Sequence, residues 1–176
     1  NTSHRYIRTY YARMYEAKFL MGAVAGAMSE NGQLAYIADY PIFGTIANIN
    51  AFALGAKMIN PRARVYLEWS TLKDVDIRLA MENVQKKGVT VVSGKDMVIP
   101  EDASRYFGLY HLTEEGPHNL AMPLWHWGKF YEQLIRTIMD GTWKYDDNKD
   151  ETKAINYWWG LSAEVIDVIY SQKLPI

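Results

Sequence analysis

The sequence predicts an α/β protein built on a parallel, doubly wound sheet, and three observations carry that expectation. Leu34-Ala35-Tyr36-Ile37-Ala38 is apolar on both faces, as a strand covered by helices on both sides must be. Ile42, Ile46, Ile49, Phe52, Ala53 and Ala56 recur at helical spacing straight after the turn Asp39-Tyr40-Pro41. The same strand-then-helix alternation continues along the chain, which is the grammar of parallel strands joined by crossover helices. In such sheets ligands bind beyond the carboxyl ends of the strands, so the order of elements also says where a site belongs.

Taken in order, Tyr11 to Glu30 is expected to be helical, with Ala17, Leu20, Val24 and Met28 as its buried stripe. Asn31-Gly32 stops it, because both residues tolerate left-handed backbone. The strand at Leu34 and its helix come next, closed by Asn60-Pro61. Val65 to Trp69 is the second strand, and Val75 to Lys87 a helix with Leu79, Met81 and Val84 facing inward and Gly88 as its cap. Val89 to Ser93 is a β-branched buried strand, ended by Gly94-Lys95-Asp96. Pro100 and Glu101-Asp102 break the next stretch, and Tyr106 to Tyr110 reads as a fourth strand.

The pattern then changes. Glu114 to Pro117 is an exposed loop, Leu120 to Leu124 a short extended piece, and Trp127 to Met139 an amphipathic helix ended by Gly141. Asp146 to Lys153 is a charged loop of low hydrophobicity. Ile155 to Trp159 and Glu164 to Tyr170 are the last expected strands.

Composition removes several classes of function. With 19 basic and 20 acidic side chains, the chain carries no electrostatic footprint for nucleic acid or an anionic membrane. Zero cysteines exclude disulfides and thiolate chemistry. The longest unbroken apolar stretch, Phe19 to Met28, falls well short of the roughly 20 residues of a membrane span. Its Gly22 and Gly26 read as close helix-to-sheet packing rather than as a membrane dimer face. At 176 residues there is room for one substantial domain and part of a second. The chain opens Asn1-Thr2 with no signal peptide and is read as a fragment or processed piece.

The expected strand ends collect aromatic rings and single polar groups. After the first come Asp39 and Tyr40, after the second Trp69 and Ser70, after the third Lys95 and Asp96, and after the fourth Tyr110 and His111. Trp125, His126 and Trp127 precede the late helix. Flat faces with a few fixed donors and acceptors suit a planar, hydrogen-bonding small molecule. Catalysis fares worse. The four histidines show no metal-ligand spacing, and there is no nucleophile elbow, phosphate loop or dinucleotide turn. No enzyme activity, metal or cofactor is expected.

Beside these readings stands a resemblance. Arg13-Met14-Tyr15-Glu16-Ala17-Lys18-Phe19-Leu20-Met21-Gly22, Ala35 to Ile42, and Ile49 to Ala56 with Asn60-Pro61 resemble the basic membrane protein family, as do Trp125 to Tyr131, Asp140 to Trp143 and Tyr157 to Leu161. Its members are bacterial lipoproteins, the substrate-binding components of ABC transporters. The resemblance implies a type I periplasmic-binding fold: two α/β lobes hinged about a cleft that takes a purine nucleoside or related base. Residues 1–122 would be the second lobe with a first hinge crossover near Arg8 to Tyr10, and 123–176 would return toward the first lobe, whose larger part lies outside this chain.

Phe130, Leu134 and Ile138 would then have no sheet of their own to cover, and must pack against another chain or the first lobe, fold back, or remain exposed. The partners implied are a small-molecule ligand, an ABC permease and whatever covers that helix, with no nucleic acid. The location implied is extracytoplasmic, on a lipoprotein anchor. Trp69, Asp96, Tyr110, Trp125, Tyr40 and Trp127 are the implied ligand contacts. Tyr110 stands where relatives often carry the first carboxylate of an Asp-Ser-Asp that holds a ribose, and a phenol cannot accept two hydroxyl hydrogen bonds as a carboxylate can. Asp96 matches the aspartate of a Thr-Asp turn, and Trp69 a tryptophan at the second strand end. The rival reading is a ligand-sensing regulatory module of the same fold with no transport role, and a small α/β hydrolase or nucleosidase stands third.

Overall fold

The computed structural model describes residues 9–70, 77–96, 105–141, 156–172 and 174. Within them the elements are β1 (Thr9–Ala12), α1 (Met14–Met28), β2 (Gln33–Ala38), α2 (Phe43–Ile59), β3 (Arg64–Trp69), α3 (Ile77–Lys86), β4 (Val91–Ser93), β5 (Leu109–Thr113), β6 (Gly116–Trp125), α4 (Trp127–Met139), β7 (Asn156–Trp159) and β8 (Ile166–Tyr170), with a 3-10 turn at Leu161–Ala163. Asp146 to Lys153 and the start of the expected Val75 helix lie outside the described residues.

The chain divides into two units. One joins Asn1–Arg13 to Leu124–Asp167, and the other joins Met14–Pro123 to Val168–Ile176. The backbone therefore passes from one to the other at Arg13, at Pro123 and at Asp167.

In the larger unit β2 is an interior strand, apolar on both sides, and five of its six residues are buried. It pairs in parallel with β3 on one flank and β4 on the other. The full sheet order is β3-β2-β4-β5-β6-β8. The predicted parallel α/β arrangement holds for β3, β2 and β4. The fourth strand is corrected: it begins at Leu109, three residues late, and runs antiparallel to β4, with Ser93 opposite Leu109 and Val91 opposite His111. The expected exposed loop at Glu114 to Pro117 is the turn of a β5–β6 hairpin, with Thr113 opposite Gly116. Gly116 has a φ of 110° there, which favours glycine.

Helices cover both faces of this sheet. Val84 of α3 is buried in one core with Ala35, Ile37, Val89, Val92 and Tyr110, and Met81 packs against it. On the opposite face Phe52 of α2 meets Tyr36 edge-on, with ring centroids 5.4 Å apart. Some inward residues differ from expectation. The buried residues of α1 are Met14, Ala17, Lys18, Met21, Gly22, Ala25 and Gly26, so Leu20, Val24 and Met28 are not its stripe. In α3, Ala80 is buried and Leu79 is exposed.

The α1 glycines serve helix-to-helix rather than helix-to-sheet contact. A Cβ on Gly22 would lie 2.0 Å from the Phe52 carbonyl oxygen, and one on Gly55 would lie 2.0 Å from that of Phe19. Only hydrogen at these positions lets the two backbones approach so closely.

In the smaller unit β1 pairs in parallel with β7, Thr9 opposite Asn156 through Ala12 opposite Trp159. The expected first helix is thus shorter than drawn, because Tyr11 belongs to a strand whose partner lies far along the chain. Phe130 of α4 is buried, with its ring centroid 4.6 Å from Tyr10 and 5.3 Å from Trp159. So Phe130 does have strands to cover, whereas Tyr131, Ile135, Ile138 and Met139 of the same helix are exposed. No helix among the described residues is long and apolar enough to cross a membrane.

Candidate functional site

The carboxyl ends of β2, β3 and β4 lie side by side, because Ala38 pairs with Trp69 and Tyr36 with Ser93. Here β2 gives way to Asp39 and Tyr40, β3 to Ser70, and β4 to Gly94, Lys95 and Asp96. Ser70 ties two of these ends together: its backbone N–H donates to the Ala38 carbonyl at 2.8 Å and its hydroxyl donates to Asp39 Oδ1 at 3.0 Å. The third end is held by Gly94, whose N–H donates to the Gly108 carbonyl at 2.8 Å. Asn119 pins the segment beyond by donating to the carbonyls of Arg105 and Phe107 at 2.8 and 3.0 Å.

Into this rim comes a side chain from α1. Lys18 is fully buried and forms an ion pair with Asp96, while its Nζ also donates to the Ser93 hydroxyl at 3.3 Å and lies 5.1 Å from the centre of the Tyr36 ring. Burial pulls the Lys18 ammonium down, but attraction to the Asp96 carboxylate and to Tyr36 outweighs it, so the group ends above its ordinary value. Burial likewise pushes the Tyr36 phenol up, against the pull of Lys18. At neutral pH the rim thus holds a buried ammonium, a phenol and a carboxylate. The Asp96 side chain is 22% exposed, which leaves it reachable from outside. Asn48 of α2 has its Oδ1 buried with no partner among the described residues.

The expected contacts fall in different places. Tyr40 and Trp69 sit at adjacent strand ends on this rim, Tyr40 exposed and Trp69 half-buried. Asp96 is on the same rim. Tyr110 is not: it is 1% exposed, in the core beneath α3, with its hydroxyl donating to Met81 Sδ at 3.4 Å. The reversal of β5 sets Tyr110 opposite Val92, close enough to the β4 end that a Cβ on Gly94 would lie 2.9 Å from its ring, but the ring is packed into the core with Val84, Val89 and Val92. Burial pushes the Tyr110 phenol well above its ordinary range. Trp125 ends β6 and Trp127 begins α4, both in the smaller unit, and Trp127 packs edge-on against Tyr10 at 5.5 Å. Lys18, Tyr36 and Ser93 were not anticipated. The signal for Lys18 is its position one turn before Gly22 on the same face of α1.

This arrangement brings acceptors, donors and flat rings to neighbouring strand ends. No group of three or more metal-ligating side chains is gathered among the described residues.

A lobe of parallel strands between helices, with its polar groups at the strand carboxyl ends, is the ligand-binding class of α/β fold. Two solved structures share it. A transcriptional activator of the comK gene from Bacillus halodurans aligns with a TM-score of 0.61 at 15% identity, over 95% of this chain and 58% of its own. An ABC transporter solute-binding protein from Conexibacter woesei aligns at 0.58 and 14%, over 91% and 54%. These likenesses establish a partial periplasmic-binding-like fold. In sequence, the model of the Bmp family, described as ABC transporter substrate-binding protein PnrA-like, matches residues 4–100, and the chain belongs to that family.

Two curated relatives are similar over most of the chain. A putative ABC transporter glucose-binding protein, TsgA13, from Haloferax volcanii is 29% identical over 166 residues, 89% of this chain and 40% of that protein. A purine-binding protein from Brucella abortus is 26% identical over 179 aligned residues, 94% of this chain and 48% of that protein. The chain thus spans less than half the length of these relatives.

Proposed function

We propose that the whole protein is the extracytoplasmic, lipid-anchored binding component of an ABC importer and that its ligand is a purine base or nucleoside. The observation that carries this reading is the rim of the larger unit. Asp96 offers an ionised acceptor for ring N–H or hydroxyl donors, and Trp69 and Tyr40 offer flat faces at neighbouring strand ends. Family membership supports the role of binding component, and the Brucella relative supports the purine.

The mechanism is capture. In the whole protein the remaining lobe closes over the ligand in a cleft, and only a ligand with higher affinity for the closed form shifts the hinge. The closed form is what the permease reads. The name of the Haloferax relative sets glucose as the competing ligand, since a sugar also uses a carboxylate and a stacking ring.

The test is calorimetry of the full-length protein against hypoxanthine, adenosine, guanosine and glucose. Binding of a purine at micromolar concentration or below, weakened in Trp69→Ala, supports the reading. Heat with glucose alone would overturn it. Trp125→Ala is measured separately, because that ring belongs to the other unit.

A further inference from the structure

Lys18 is the one fully buried charged side chain among the described residues, and every polar contact it makes is at the rim. Its charge is spent inside the protein. Asp96 Oδ1 takes the ammonium, Ser93 Oγ accepts at 3.3 Å, and the Tyr36 ring lies beneath it. No Lys18 atom is exposed to meet a ligand. Asp96 Oδ2 makes no hydrogen bond among the described residues, and the side chain is partly exposed. Each carboxylate oxygen can accept two hydrogen bonds, so one face of the group is committed and the other is on offer.

We propose that Lys18 is the positioning residue of the binding site: it fixes the Asp96 carboxylate, so that Oδ2 is presented to a ligand, and selects uncharged ligands that bring N–H or O–H donors. This rests on the rim being the ligand site, as proposed above. The selection comes from charge balance. Among the described residues at these strand ends, Lys18 and Lys95 are matched in number by Asp39 and Asp96, so these groups give a phosphorylated or cationic ligand no net attraction. Among the described residues, the groups acting on Asp96 are Lys18 from α1 and Tyr36 from β2, with Asp39 acting on Tyr36 from the end of β2. The raised Lys18 and Tyr36 mean that neither changes charge between pH 5 and 8.

The test uses full-length protein with guanosine and guanosine 5′-monophosphate as probes, and Lys18→Met, Lys18→Arg, Asp96→Asn and Lys18→Met/Asp96→Asn as variants. Folding of each is checked by circular dichroism. Guanosine is expected to bind wild type, and the monophosphate no more tightly. Asp96→Asn should weaken guanosine by about tenfold to a hundredfold, the range of a hydrogen bond to a charged group. Lys18→Met should weaken it similarly, because the carboxylate loses the donor that fixes it. The double variant should be no weaker than either single one, and Lys18→Arg should restore much of the affinity.

A folded Lys18→Met protein that binds guanosine as tightly as wild type, or loses affinity additively with Asp96→Asn, would overturn the proposal, as would tighter binding of the monophosphate. If wild type binds no purine, the ligand reading fails by itself. The positioning role is then read from the Asp96 carboxyl carbon resonance at neutral pH, whose chemical shift should change in Lys18→Met as the contact with the ammonium is lost and return toward the wild-type value in Lys18→Arg. The same shift in all three proteins would sink it.

Discussion

Gly22→Ala tests the α1–α2 contact most sharply, because two opposite effects have known sizes. An added Cβ would lie 2.0 Å from the Phe52 carbonyl oxygen and 2.8 Å from its carbonyl carbon, both backbone atoms that cannot swing aside. Ordinary contact begins near 3.4 Å, so the helices must part by about 1.4 Å at that point. Overpacking of this kind costs about 1–3 kcal/mol, and a rigid backbone neighbour puts the cost at the upper end. Replacing glycine by alanine within a helix returns about 0.8–1 kcal/mol. The expected net loss is about 2 kcal/mol, or roughly 4–8 °C in Tm for a domain of this size.

The assay is urea denaturation followed by circular dichroism, with Gly55→Ala as the matching variant on α2. The two losses should not add, since helices already parted by one methyl have less to lose to the second. Gly128→Ala in α4 is the control. Nothing lies within 4 Å of its added Cβ, so it should gain up to about 1 kcal/mol. If Gly22→Ala proved as stabilising as Gly128→Ala, the close approach would be refuted as the reason for glycine.

Three further outcomes are expected. Lys18, Tyr36 and Tyr110 all hold their protons above their ordinary values of 10.5, 10.0 and 10.0. Above pH 10 the unfolded chain therefore binds fewer protons than the native one, so the urea midpoint should be insensitive to these groups below pH 10 and fall above it, less steeply in Lys18→Met. Tyr110→Phe should cost about 1 kcal/mol or less in urea, through loss of the hydroxyl's bond to Met81, and leave ligand affinity unchanged in calorimetry. A change in affinity would return Tyr110 to the binding site. Phe130→Ala should cost about 3–5 kcal/mol in the smaller unit, seen as an earlier loss of near-ultraviolet aromatic dichroism, because the ring is buried among Tyr10, Trp159 and Tyr157. An unshifted transition would mean the cluster adds nothing to stability.

Local signals were readable in the sequence wherever the physics is local. The apolar run of β2, the helix α2 and the left-handed glycines at 32, 88 and 141 fall where the pattern puts them, although Ile42 and Ile46 of the expected α2 stripe are exposed and its buried residues are Phe52, Gly55 and Ala56. So does α4, from Trp127 to Met139. Pairing over distance was beyond the reach of the pattern. β1 reads as the start of a helix because its partner lies beyond residue 155, and β5 reads as parallel because nothing in Leu109 to Thr113 encodes strand direction. The proposed rim divides the same way. Tyr40, Trp69 and Asp96 are legible as residues at or just past the carboxyl end of a strand, and that rule fails for Tyr110 once the strand reverses. Lys18 escapes the rule altogether, since it reaches the strand ends from the helix that precedes them.

The pairing of Thr9 with Asn156 also bears on how the polypeptide is made. A ribosome delivers the first strand of the smaller unit 147 residues before the first residue of its partner. At about 5–20 residues per second, β1 waits roughly 7–30 s before a hydrogen-bonding neighbour exists. During that interval Met14 to Pro123 is already complete in the nascent chain, apart from the late strand β8. Exposed edge atoms and the aromatic residues Tyr10 and Tyr11 must be shielded meanwhile, by a chaperone or by the chain remaining unfolded. Pulse-labelled proteolysis of stalled nascent chains would read this order directly, with protection of the larger unit preceding that of β1.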